Sequence, residues 1–237
     1  MSYKRLRNAL LISAFAVSLS LGSATIYAEE STEAATEATT EAADSAETHI
    51  VKDYFDREVE IPVNLTKVAV CDSYNMECIN VLGAVDTVAG VDSFIANDTE
   101  AWGRVFTQDE TISNDNDEVN YEAVVNMGCQ LFITSECYDY QTAIDQLEPF
   151  GIKVVVCKAY DTTNFFNNMK LFGEIFNKED RAQEICDYFQ SNLDYVNKQL
   201  DGVEKKRVYF EYRNPGRVTI PGDSFYNMIE YAHADNL

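Results

Sequence analysis

VAVCDSYNMECINVLGAVDTVAGVDSF, residues Val68 to Phe94, decides how the chain is built. Val68 to Cys71 is a short apolar run that reads as a buried strand. Asp72, Ser73, Tyr74 and Asn75 form a polar step, and MECINVLG continues from it as a helix with Asp72 or Ser73 as N-cap. TVAGV then reads as a second strand. Strand, polar turn, helix and strand in one run is the repeating unit of a parallel sheet. In such sheets ligands gather on the loops at the carboxyl ends of the strands, where Tyr74 and Asn75 stand.

The same alternation runs from about His49 onward. KVAVC, TVAGV, QLFIT, IKVVVC and RVYFEY are short β-branched or aromatic runs, mostly separated by segments long enough for a crossover helix. The predicted fold is α/β, with a Rossmann-like lobe built on a mainly parallel sheet over residues 49–160. Linking helices follow over 161–202, and a second α/β lobe begins over 203–237. Within the linker, Ala182, Ile185, Phe189, Leu193, Val196 and Leu200 recur at three- and four-residue steps. That stripe predicts one long helix, N-capped by Asn177 with Asp180 three residues on and ending at Asp201-Gly202.

The other direction leads to a leader. Lys4, Arg5 and Arg7 precede ALLISAFAVSLSLG, too short for a comfortable membrane span and suited to a signal peptide over residues 1–28, cleaved after Ala28. An uncleaved anchor is the rival reading. The segment contains no cysteine, so a lipoprotein anchor is not supported. Residues 29–48 repeat Thr-Glu-Ala with almost no large side chain, and too little surface can be buried to offset the entropy of ordering them. They read as a solvated tether, and the whole points to an extracytoplasmic protein, secreted or held at the cell surface.

The formal net charge of −22 excludes nucleic acid as a partner and opposes adsorption to anionic lipid. Six cysteines in an exported chain suggest a disulfide framework. Yet Cys71, Cys129 and Cys157 lie in or beside strand runs and Cys186 lies on the apolar side of a helix, which favours mostly buried thiols over bridges. No GxSxG and no GxGxxG occurs, so neither a nucleophile elbow nor a dinucleotide loop is present and no enzyme is expected. A free-metal carrier would need more histidine than His49 and His233 supply.

DYFDREVEIPVNLTKVAVCDSYNMECINVLGAVDTVAGVDSF and NYEAVVNMGCQLFITSECYDYQTAIDQLEPFGIKVVV carry a family resemblance. They resemble the N-terminal lobe of the ABC-transporter substrate-binding proteins for ferric siderophores, cobalamin and haem. The features come in order: a "D..GREV.IP" hairpin, a strand-turn-"E...LG" unit, a "G.D" strand end, an "N.E" helix start and "L...GI.V". The likeness covers roughly residues 49–237. MGCQLFI and AHADNL depart from the family pattern, so His233 and Asp235 stand where a glycine-rich turn is usual. Family members also continue beyond the point matched by Leu237, and the resemblance therefore implies a truncated gene, a fragment or a degenerate paralogue with an incomplete second lobe.

What the resemblance implies is a monomer without an intrinsic cofactor. Its two lobes clamp a metal chelate, and the loaded protein docks on an ABC importer permease. A ferric siderophore is the expected ligand, because arginine and tyrosine mix on the cleft loops; cobalamin and haem stay open, as does a secreted module without transport. The ligand contacts expected by position are Tyr74, Asn75, Trp102, Arg104, Tyr138, Tyr140, Tyr212 and Arg213, with Arg217 close behind. His233 enters only as a conceivable axial ligand. Docking is assigned to Glu122, in the segment NYEAVV, and to Asp223.

Overall fold

The computed structural model describes residues 47–113 and 118–237. The leader read over 1–28 lies outside the described residues, as does the tether except for Glu47 and Thr48. Thr48 already belongs to structure. Strand β1 (Thr48–Lys52) pairs antiparallel with β2 (Glu58–Pro62), from Thr48 opposite Pro62 to Lys52 opposite Glu58.

The central sheet follows. Its chain order is β3 (Val68–Val70), α1 (Ser73–Val81), β4 (Val88–Val91), α2 (Ser93–Asn97), α3 (Tyr121–Asn126), β5 (Leu131–Ser135), α4 (Tyr140–Leu147) and β6 (Lys153–Cys157). The spatial order is β4-β3-β5-β6, all parallel. Side chains alternate across it with the period of two that a pleated strand imposes. Val68 and Val70, Leu131 and Ile133, and Val155 and Cys157 face one apolar layer, which includes Met76 and Ile79 of α1. Ala69, Cys71, Phe132 and Val154 face the other, which includes Val124 of α3 and Leu147 of α4. All residues of β5 are buried, as expected for a strand covered on both faces. Gly90 has no side chain because none fits: a Cβ there would meet Ile112 Cγ2 and Met127 Sδ at 2.8 Å.

Helices α5 (Phe165–Phe176) and α6 (Glu179–Gln199) form the linker. The long helix is present, but its start differs from the one expected. Asn177 is the left-handed C-cap of α5, at φ 51°, and its Nδ2 donates to Val63 O at 2.6 Å. Asparagine tolerates that conformation better than most residues, so it closes one helix instead of opening the next. The two helices pack closely at Gly173, where a Cβ would lie 2.8 Å from that of Ala182.

The C-terminal segment folds as a small βαβ unit, with β7 (Lys206–Val208) parallel to β8 (Ala234–Asn236) and α7 (Ser224–Tyr231) between them. RVYFEY supplies less strand than its composition predicts: pairing stops at Val208, and the following aromatics enter a loop. His233, at φ 55°, takes the left-handed turn before β8. Among the described residues no helix is long and apolar enough to cross a membrane.

Candidate functional site

At the carboxyl edge of the central sheet the chain repeatedly makes the same local choice. An aspartate follows the strand and caps the next helical turn. Asp72 accepts from the Tyr74 N–H, Asp92 from Ile95, Asp139 from Thr142 and Asp161 from Thr163. Each carboxylate meets an orphan N–H and the positive end of a helical turn. The caps at Asp72 and Asp92 are also joined to each other. The Asp72 N–H donates to Asp92 Oδ2 at 2.6 Å, and Ser135 Oγ donates to Asp72 Oδ2 at 2.5 Å. This bracing explains why Asp72 tolerates φ 78°. Burial pushes the Asp92 carboxyl above its usual range, against the opposing pull of the Ile95 and Asp72 N–H groups.

Above this edge lies a cleft of about 470 Å³. Its floor is Tyr74, Lys158, Tyr160, Asp161 and Thr162; its roof is Tyr212, Asp223, Phe225 and Met228 from the C-terminal unit. Tyr74 is half exposed, and its ring centroid lies 6.2 Å from that of Tyr160. On the roof, Tyr212 and Phe225 are 4.9 Å apart. The guanidinium carbons of Arg213 and Arg217 lie 4.9 and 5.6 Å from the Tyr212 ring centre. Among the described residues neither arginine has a carboxylate within ion-pair distance, whereas Lys158 Nζ is 3.3 Å from Asp161 Oδ2. The Tyr160 hydroxyl donates to Glu136, and burial together with that bond raises its pKa, so the phenol stays neutral. The arrangement offers stacking faces and free guanidinium donors to a flat or anionic guest.

Of the residues expected here, Tyr74 and Tyr212 line the cleft, and Arg213 lies over the Tyr212 ring without being part of the lining. Asn75 does not reach the cleft. It is fully buried, and its Nδ2 donates to Cys71 O at 2.8 Å and Ser135 Oγ at 3.2 Å, pinning α1 to the strands. Trp102 is a core residue, 5% exposed, with its indole N–H donating to Ile95 O at 2.9 Å. Arg104 sits at the amino end of β4. Its guanidinium pairs with Glu110, lies over Phe106 and donates to Val88 O. The chain after β4 turns back along the sheet, and that return carries both residues away from the cleft.

Tyr138 lines a separate recess between α3 and α4, with Tyr121, Phe132 and Thr142. Tyr140 packs on Phe55, centroids 4.9 Å apart. His233 lies at the amino end of β8 with Nε2 2.9 Å from Val203 O and is not among the residues that line the cleft. Asp223, expected as a docking carboxylate, caps α7 by accepting from the Phe225 N–H at 2.7 Å and lines the cleft. Glu122 is exposed in the first turn of α3. That turn follows Asn120, whose N–H reaches Ile112 O, and Ile112 in turn bonds the last residue of β4. Glu122 therefore stands on the carboxyl-edge side.

Lys158, Tyr160 and Phe225 were not expected. The signal for the first two was positional: KAYD follows IKVVVC as DSYN follows KVAVC, with an aspartate to cap the next turn. Phe225 stands two residues after its own cap. All six cysteines are free thiols, and burial pushes those of Cys71 and Cys157 well above the usual range. Among the described residues no cluster of three or more His, Cys, Asp or Glu side chains is placed to hold a metal ion.

Comparison with solved structures shows the same fold. A periplasmic solute-binding protein from Veillonella parvula superposes with a TM-score of 0.62 at 19% identity, covering 80% of this chain and 60% of that one. The molybdate periplasmic binding protein MolA of Haemophilus influenzae gives 0.61 at 18%, covering 79% and 65%. The petrobactin-binding protein YclQ of Bacillus subtilis gives 0.54 at 20%, covering 69% and 57%. The chain thus spans about three fifths of the length of these structures. No curated protein matches it. The periplasmic binding protein family matches residues 68–227, from the first strand of the central sheet to the middle of α7, and the chain belongs to that family.

Proposed function

We propose that the protein captures a ferric siderophore-type chelate outside the cytoplasm and delivers it to an ABC importer permease. One observation carries this reading. Two tyrosine rings on the sheet's carboxyl edge face an aromatic pair on the C-terminal unit, and Arg213 and Arg217, without an ion-pair partner among the described residues, lie over the Tyr212 ring of that pair. Stacking faces suit the flat groups of a chelate, and guanidinium groups suit its anionic oxygens. Delivery rests on Glu122, exposed on the rim where a charge pair steers encounter with a membrane partner.

Calorimetric titration with a ferric tris-catecholate, a ferric trihydroxamate, haem, cobalamin and molybdate tests the reading. A ferric chelate should bind saturably, and Tyr74→Ala or Tyr212→Ala should weaken it by about ten-fold, the loss expected of a stacking contact. Binding of haem, cobalamin or molybdate alone would reassign the guest. Binding of none would make the chain an interaction module instead of a carrier.

A further inference from the structure

Tyr140, which the cleft does not use, belongs to a second feature. Tyr54 and Phe55 form the tip of the hairpin between β1 and β2, and they are 37% and 43% exposed. The tip is rigidly built. The Asp53 carboxylate is wholly buried and accepts from the Phe55 and Arg57 N–H groups, from the Arg57 guanidinium at 2.6 and 2.9 Å, and from the Val156 N–H. Arg57 Nη2 also donates to Val154 O, and the Tyr54 N–H donates to Val156 O at 2.9 Å. Two aromatic rings are thus held toward water by a turn stapled to β6. Such pre-organised rings bind flat partners with little ordering cost.

These rings continue the floor of the cleft. Tyr54 and Phe55 are 5.1 Å apart, and Phe55 and Tyr140 4.9 Å. Lys158 Nζ lies 5.4 Å from the Tyr54 ring centre and 5.8 Å from that of Tyr160, and its contact with the Tyr54 hydroxyl is 3.4 Å. A single strip runs from Tyr74 through Tyr160, Lys158, Tyr54 and Phe55 to Tyr140. Its cations are already neutralised, Lys158 by Asp161 and Arg57 by Asp53. The strip therefore reads flat faces and adds no charge preference.

We propose that this strip is an outer subsite for an aromatic arm of the captured ligand, which makes the ligand class an aryl-bearing chelate. The proposal rests on the cleft being a chelate site. Continuity through Lys158, which lines the cleft and touches Tyr54, favours the ligand over a protein partner.

The test uses the full chain and matched probes: ferric trihydroxamate and ferric tris-catecholamide cores, each carrying one terminal amide that is either benzoyl or acetyl. On whichever core binds, the benzoyl form should bind about ten-fold tighter, the gain expected of one good stacking contact. Phe55→Ala and Tyr54→Ala should abolish that preference and leave the acetyl form unchanged, while Phe55→Tyr should keep it. Equal affinities in the parent, a preference that survives both alanine variants, or a loss shared equally by both forms would overturn the outer subsite and leave the cleft reading intact. Failure of every probe to bind would overturn both.

Discussion

The two α/β units of this chain are built to different standards. In the larger one a parallel sheet is covered on both faces, and every residue of β5 is buried. In the smaller one two strands of three residues pair around a single helix. There Tyr209 and Ile220 are 56% and 62% exposed. A two-stranded sheet has little independent stability. What orders it is contact with its neighbour, where the Ser224 hydroxyl donates to Tyr160 O and α7 packs on the turn at Thr162–Asn164. The floor of the cleft thus rests on a sheet packed on both faces and its roof on a two-stranded one.

Hydrogen exchange should show the contrast most strongly. Amides of β5 and β6 are expected to exchange only through global unfolding, and those of β7 and β8 on the order of a thousand-fold faster through local opening. Equal protection of both units would remove the distinction.

Large-to-small substitution is the next lever. Phe172→Ala, fully buried against the sheet, should cost about 3–5 kcal/mol by urea unfolding, and Ile220→Ala less than about 0.5 kcal/mol. Gly173→Ala should fall between them at about 1–3 kcal/mol, because the added methyl meets Ala182 Cβ and, at 3.3 Å, the Glu179 Cα. Its effect should spare the β5 amides if the linker packs as described.

The smallest expected effect lies at the joint between the units. Burial alone would raise the Asp161 pKa, but the Thr163 hydroxyl and amide and the Lys158 ammonium outweigh it, and the net shift is downward. Burial alone would lower that of Lys158, yet its bonds to Asp161 and Tyr54 raise it. A depressed carboxyl stabilises the fold above its unfolded value, about 3.9, and loses that contribution as pH falls through its folded value. A raised amine stabilises below about 10.4 and loses its contribution as pH rises through its folded value. The Tm difference between the parent and Asp161→Asn should therefore be flat between about pH 4 and 10 and shrink on the acid side. A difference that grew on acidification would show that Asp161 acts otherwise.

The larger unit was legible because its rules are local. Alternation in VAV, LFI and VVV needs only the chain's own period, and the turn after Val70 shows its cap in Asp72. The site was legible only in part. Position after a strand picked out Tyr74 and Tyr212, which line the cleft, and equally Trp102 and Asn75, which do not. Whether a loop residue faces the guest or the core depends on where the loop goes next. The path after β4 returns toward the sheet's amino end, and no local signal in ANDTEAWGRVF reveals that turn. Asn177 failed for a related reason, because a polar residue between two helices can close the first as readily as open the second. RVYFEY promised more strand than it forms because pairing needs a partner, and β7 pairs with β8 only from Lys206 to Val208.

The aspartate caps carry one more consequence, for how such a protein changes over time. Asp72, Asp139, Asp161 and Asp223 each fasten a helical turn through a backbone N–H, and Tyr74, Tyr138, Tyr140, Tyr160 and Phe225 all stand within two residues of one of them. The fastening residues and the displayed residues are different residues. Substituting a displayed ring leaves the cap beside it in place, so the side chains along this edge can be exchanged one at a time while the order of strands persists.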